Sequence, residues 1–257
     1  MILLERIRSD AGDIEILETK LHRSVVYRQG GCCQSEADAD GVSLCSYIHG
    51  IFGLLAQSPP RNVLMIGCGG GSLATMLASK GVQVTIVDVN PLAFDIARRY
   101  FNLPDEVACH VADGRDFLRD NAARYDAIVM DAYVGAFVPQ HLRSMSFFRL
   151  ARTRLDEHKG RLIANVFTEH DFDAAPDVAA TAMAEVWDDV RVLDIRGMQH
   201  RNALVMAGNV MALQEPKLLL RPMAGITEIM HDLNRWRFRK WRLLDRDDRS
   251  LCAISSI

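Results

Sequence analysis

From residue 62 onward, short apolar runs alternate with amphipathic segments, and this alternation constrains the fold more than any other feature of the chain. NVLMI (62–66) reads as a strand and GSLATMLASK (71–80) as a helix; VQVTIVD (82–88) is a strand and PLAFDIARRYF (91–101) a helix with Pro91 in its first turn. VACHVAD (107–113) and YDAIVMDA (125–132) continue the strands. A long helix is expected after Pro139 (QHLRSMSFFRLARTRL), then the strand RLIANVF (161–167), a helix over 174–187, and a closing pair of strands, VRVLDI and ALVMAG. Repeated βα units need crossover connections, so the expectation is a doubly wound, mostly parallel α/β sheet with helices on both faces.

The first 50 residues differ. DIEILET and HRSVVYRQ alternate as strands do, separated by polar turns. They predict a small N-terminal β unit over residues 1–50, with a helix in 43–57 (SLCSYIHGIFGLLAQ) leading into a main domain over 51–257. A net charge of −3 gives no global attraction to nucleic acid or to an anionic membrane. No apolar run reaches the length of a membrane span, and MILLERIRSD carries charge too early for a secretory leader. Cys32, Cys33, Cys45, Cys68, Cys109 and Cys252 show no CxxC spacing, which fits reduced thiols and a cytoplasmic location. In the tail, Trp236, Phe238 and Trp241 interleave with basic residues; an amphipathic helix packed on the core is the expectation, without a functional role.

The loop Gly67-Cys68-Gly69-Gly70-Gly71 lies between the first strand and helix of the main domain. Glycines there allow positive φ and let a ligand approach the backbone. Dinucleotide folds make the same demand, but the spacing is GxGxG, and Ser72 stands where a dinucleotide loop wants its third glycine. Asp88, at the end of the second strand, is placed to accept the two hydroxyls of a ribose, or else to cap the helix beginning near Pro91. Asp113-Gly114, at the end of the third, offers a carboxylate to an adenine amino group and room for the ring. Together these strand ends fit one adenosine, hence a nucleoside-sulfonium compound such as S-adenosylmethionine or a relative. Asp131 ends the fourth strand and points to the same crevice. Alkyl transfer from a sulfonium to an amine needs an unprotonated nitrogen, and a carboxylate that takes up the proton suits that chemistry.

VLMIGCGGGSL, IVDVNPLAFDIARRYF, VADGRDFL and YDAIVMDAY, in this order, resemble the spermidine synthase (polyamine aminopropyltransferase) family, in its divergent bacterial branch. The resemblance runs from about residue 22 to 167, and more loosely to the ALVMAG strand. It implies a seven-stranded, class I methyltransferase-like Rossmann sheet preceded by an N-terminal β unit, and a homodimer. Carried over by position, it makes Gln34, Asp88, Asp113 and Gly114 contacts of decarboxylated S-adenosylmethionine, beside the loop glycines Gly67, Gly69 and Gly71 already read as a binding loop, and Asp131 the proton acceptor for a small-molecule amine. Tyr47 falls near the family's Tyr-His-Glu segment. Three positions depart from the pattern: Gly70 and Val134 replace aspartates, and Gly50 follows His49 where the family has glutamate.

A diamine brings two cations, and burying them without carboxylates costs several kcal/mol each; the departures therefore leave the acceptor open. Two other readings stand beside aminopropyl transfer: methyl transfer from S-adenosylmethionine itself, and a non-catalytic thioadenosine- or polyamine-binding module. His141, in the loop after the fourth strand, is placed either to contact substrate or to sit at the surface. Glu169, His170, Asp171 and Asp173 show no metal-ligand spacing, and no metal is expected.

Overall fold

The computed structural model describes residues 1–9, 12–133 and 138–243. The chain opens with an antiparallel four-stranded sheet of β1 (Ile2–Ile7), β2 (Ile14–Glu18), β3 (Val25–Gln29) and β4 (Cys32–Ala37), paired in that order. Alternation shaped the inner two strands, where Ile14, Ile16 and Tyr27 pack against Ile96 and Phe101. The outer two carry no such signal: Ile2, Leu3 and Leu4 of β1 are exposed, and β4 is polar. α1 (Ser46–Ala56) follows, burying Ile48, Ile51, Phe52, Leu54 and Leu55.

The main sheet then builds through β5 (Asn62–Ile66), α2 (Ser72–Ala78), β6 (Gln83–Asp88), α3 (Pro91–Tyr100), β7 (Ala108–Val111), α4 (Gly114–Asp120) and β8 (Ala127–Met130). It continues with α5 (Met145–Thr153), β9 (Arg161–Thr168), α6 (Ala175–Ala184), β10 (Val190–Asp194), β11 (Arg201–Gly208), α7 (Ile226–Arg235) and β12 (Arg237–Arg239). Strand order is β12-β10-β11-β9-β8-β5-β6-β7. The pairs from β9 across to β7 are parallel, and those joining β9, β11, β10 and β12 are antiparallel. From β5 the chain steps outward to β7, then returns to lay β8 on the other flank of β5. Neighbouring connections diverge there, and the carboxyl ends of the strands open a crevice.

The mostly parallel doubly wound sheet is as expected, with two corrections of detail. The helix after Pro139 is two pieces: a single 3₁₀ turn over Gln140–Arg143, then α5. Ser144 divides them because its backbone is extended (φ −80°, ψ 150°) and its Oγ accepts from the Phe147 N–H as the cap of α5. In the tail, helix gives way at Trp236, and Arg237–Arg239 pair with β10 as an eighth, edge strand. Trp236 is buried against Gly50, and the Arg191 guanidinium lies 3.3 Å from the centre of the Phe238 ring. Two of the tail aromatics are thereby spent on packing. Residues 244–249 of that tail, Val134 and Cys252 lie outside the described residues.

β10, β11 and β12 are tied by a buried charge cluster. Asp194 accepts from Arg201 Nε at 2.7 Å and from Arg239 Nε at 3.0 Å. Burial alone would raise the Asp194 carboxyl, but the bonds from Arg201 and Arg239 outweigh it and hold the group below its ordinary range. Arg201 also pairs with Asp171, and Asp173 accepts from the Glu169 N–H, so these acids of the 169–173 loop serve the loop itself.

Candidate active site

One cleft of about 1290 Å³ lies over the strand ends. Its walls come from β4, the start of α1, the glycine loop, the ends of β6 and β8, the 138–142 segment, β9, β11 and α7. Gln34, Gly67, Gly69, Asp88, Asp113, Gly114 and Asp131 all line it. Gly71 does not: it caps α2 at φ +71°, with its Cα turned toward Leu103 and Ala97.

The glycine loop is drawn tight by its neighbours. A Cβ on Gly67 would lie 2.1 Å from the Asp131 carbonyl oxygen, so this glycine (φ +98°) lets the ends of β5 and β8 meet. A Cβ on Gly114 would lie 2.4 Å from Ile66, which explains glycine at the start of α4. Asp88 braces the loop by accepting from the Cys68 N–H (2.8 Å) and the Asn90 N–H (2.8 Å). Helix capping falls to Asn90 instead, which accepts from the Leu92 N–H. Each Asp88 oxygen keeps acceptor capacity toward the cleft, and burial raises its carboxyl above the ordinary range.

Asp113 is more heavily engaged. Its Oδ1 caps α4, accepting from the Arg115 and Asp116 N–H groups, and its Oδ2 lies 2.6 Å from His141 Nε2. Burial pushes the Asp113 carboxyl up, but the Asp116 and His141 bonds outweigh this and bring it down. His141 therefore faces the cleft as the partner of Asp113.

Asp131 sits at the floor with both oxygens held. Oδ2 accepts from the Tyr47 hydroxyl at 3.1 Å, and Oδ1 from Asn165 Nδ2 at 2.7 Å. Burial raises its carboxyl above the ordinary range, and the Asn165 and Tyr47 bonds restrain that rise. Tyr47 itself is pushed far up, first by burial and then by Asp131. The Asn165 Oδ1 in turn accepts from Asn202 Nδ2 at 2.9 Å. Tyr133 donates its hydroxyl to the Asn165 carbonyl and accepts from the Phe167 N–H, fixing the end of β8 to β9.

Gly70 explains its own departure. A Cβ there would stand 2.8 Å from the ring of fully buried Phe101, and Gly70 does not line the cleft. Its N–H donates to Ser35 Oγ at 2.8 Å. Phe101 closes this position to a side chain, and carboxylates enter the cleft from elsewhere: Glu228 and Asp232, one turn apart on α7. Sequence reasoning missed this pair along with Asn165 and Asn202. The polar residue inside the apolar run RLIANVF was a usable signal for Asn165; nothing local marked α7.

The fold and the cleft at its switch point define a methyltransferase-type α/β protein, and residues 63–154 match the family model described as a methyltransferase domain. A polyamine aminopropyltransferase of Chromobacterium violaceum is 30% identical over 183 residues, 68% of this chain and 68% of that protein. One from Vibrio vulnificus is 32% identical over 123 residues, covering 45% of this chain and 41% of that protein. The crystal structure of a probable spermidine synthase from Corynebacterium glutamicum superimposes with a TM-score of 0.75 at 18% identity, over 96% of this chain and 91% of that one. The chain belongs to the polyamine aminopropyltransferase family. Among the described residues no group of three or more His, Cys, Asp or Glu side chains is placed to hold a metal ion, and no helix is long and apolar enough to cross a membrane.

Proposed function

We propose that the protein transfers an aminopropyl group from decarboxylated S-adenosylmethionine to a small polycationic amine. The observation that carries this reading is the charge of the cleft. Asp88, Asp113, Asp131, Glu228 and Asp232 line it, against Arg8 and His141 as its basic groups among the described residues. Such a cleft concentrates cations. It suits a donor carrying a sulfonium and an ammonium, and disfavours the extra carboxylate of S-adenosylmethionine, since Arg8 and His141 are the basic groups among the described residues that line the cleft. The names of the relatives support the same chemistry.

The residues fit the donor: Gly67, Gly69 and Gly114 line the cleft, and Asp88 has acceptor capacity for ribose hydroxyls. When bound, the donor supplies an electrophilic carbon beside its sulfonium and leaves as a thioether. Asp131 orients the acceptor ammonium and takes its proton, freeing the nitrogen lone pair that forms the new C–N bond as the C–S pair returns to sulfur. Its raised carboxyl makes it a better base than an ordinary aspartate. Glu228 and Asp232 receive the acceptor's far cation, the task that the absent carboxylate at position 70 leaves open. The reading includes a cytoplasmic homodimer working without a metal, an expectation taken from the family and from free Cys32, Cys33, Cys45, Cys68 and Cys109.

Calorimetry with the two donors side by side tests the proposal. The decarboxylated form should bind at least tenfold tighter; tight binding of S-adenosylmethionine alone would shift the reading to methyl transfer. For the acceptor, Glu228→Gln with Asp232→Asn should raise KM for a diamine about tenfold, with donor affinity unchanged, as expected for two exposed or half-exposed ionic contacts. An unaltered KM would remove α7 from acceptor recognition.

A further inference from the structure

We infer that Asn202 and Asn165 form a positioning relay that fixes the orientation of the Asp131 carboxylate toward the acceptor. The inference rests on the reading of Asp131 as proton acceptor. β9 and β11 pair antiparallel, with Asn165 opposite Leu204 and Asn202 opposite Phe167. The two asparagines are therefore diagonal neighbours on one face of the sheet. An asparagine amide has a donating and an accepting end of nearly equal shape, so its orientation follows from its partners. Asn202 Nδ2 donates to Asn165 Oδ1, which leaves the Asn165 Nδ2 end to donate to Asp131 Oδ1. Without Asn202, an amide turned through 180° would set its carbonyl oxygen against the carboxylate.

Asn165 is buried, with 2% of its surface exposed, so water is not available to take over that bond. On its other oxygen Asp131 has Tyr47, from α1, and the end of its own strand carries Tyr133. Burial holds both phenols protonated well above neutral pH, so neither adds a charge to the site. No basic side chain bonds to Asp131 among the described residues. Donation from Asn165, held in place by Asn202, thus opposes the upward push of burial on the Asp131 carboxyl.

The variant to test is Asn202→Leu, similar in volume and without contact to Asp131, with Asn202→Ala as a second variant should leucine unfold the protein. The primary readout is the carboxyl titration of Asp131, followed by NMR in protein labelled at the aspartate carboxyl carbon and assigned by its loss in Asp131→Asn. The relay predicts that this titration moves upward, that the acidic limb of kcat moves upward with it while kcat at higher pH returns toward the parental value, and that donor affinity stays within twofold of the parent. An unmoved Asp131 titration overturns the relay, as does a loss of kcat that higher pH does not recover. A shifted titration in a protein with no aminopropyl transfer keeps the relay and removes only the reaction assigned to it.

Discussion

Asp131→Asn is expected to lower kcat by about 10²–10⁴-fold, the range for a lost general base, while donor affinity stays within a few fold. The substitution keeps the volume of the side chain and removes only its charge and basicity. An asparagine at 131 can turn its oxygen toward Asn165 Nδ2, and its amide can donate to the Tyr47 hydroxyl, so the bonds that seat residue 131 survive in altered form. The residues proposed to hold the donor, after β5, at the end of β6 and at the start of α4, are untouched. The pH dependence gives an independent check. In the parent protein Asp131 must be ionised to accept a proton, so turnover is retained above its carboxyl titration and lost as pH falls through it. Burial places that limb above the ordinary aspartate range. In Asp131→Asn the limb should vanish together with the rate. Turnover at the parental level, with the acidic limb intact, would take Asp131 out of the mechanism.

The parts of the site legible in the sequence are those fixed by neighbours along the chain. A glycine loop after an apolar run, and acids at the ends of β6, β8 and the segment following β7, follow from the period of strands and helices, and these residues share one cleft. What could not be read depends on contacts between distant segments. Gly70 shows only a missing carboxylate in the sequence, whereas its reason is the ring of Phe101, packed between the N-terminal sheet and α3. Glu228 and Asp232 enter the cleft from α7, roughly a hundred residues beyond Asp131, and carry no motif. The Asn165–Asn202 bond depends on the register of β9 against β11. Similarly, β1 and β4 owe their place to pairing with β2 and β3, not to alternation of their own.

The second large effect is structural and reaches the chemistry through the backbone. Gly67→Ala is expected to destabilise the fold by about 3 kcal/mol or more, combining a non-glycine side chain at φ +98° with overpacking. For a chain of this size that corresponds to a fall in Tm of roughly 6–12 °C. The methyl group would stand 2.1 Å from the Asp131 carbonyl oxygen, well inside van der Waals contact. Relief requires the end of β8 to move away from β5, although the Asp131 N–H donates to the Ile66 carbonyl and the Gly67 N–H to Val87. Any such movement carries the Asp131 carboxylate with it, so turnover should fall along with stability. Gly81→Ala separates strain from collision, because Gly81 has φ +77° but nothing within 4 Å of its Cβ position. It should show a small loss of stability, about 1 kcal/mol, and parental turnover. Equal melting temperatures for the two variants, with kcat unchanged in both, would mean that the close approach of β5 and β8 does not set the position of Asp131.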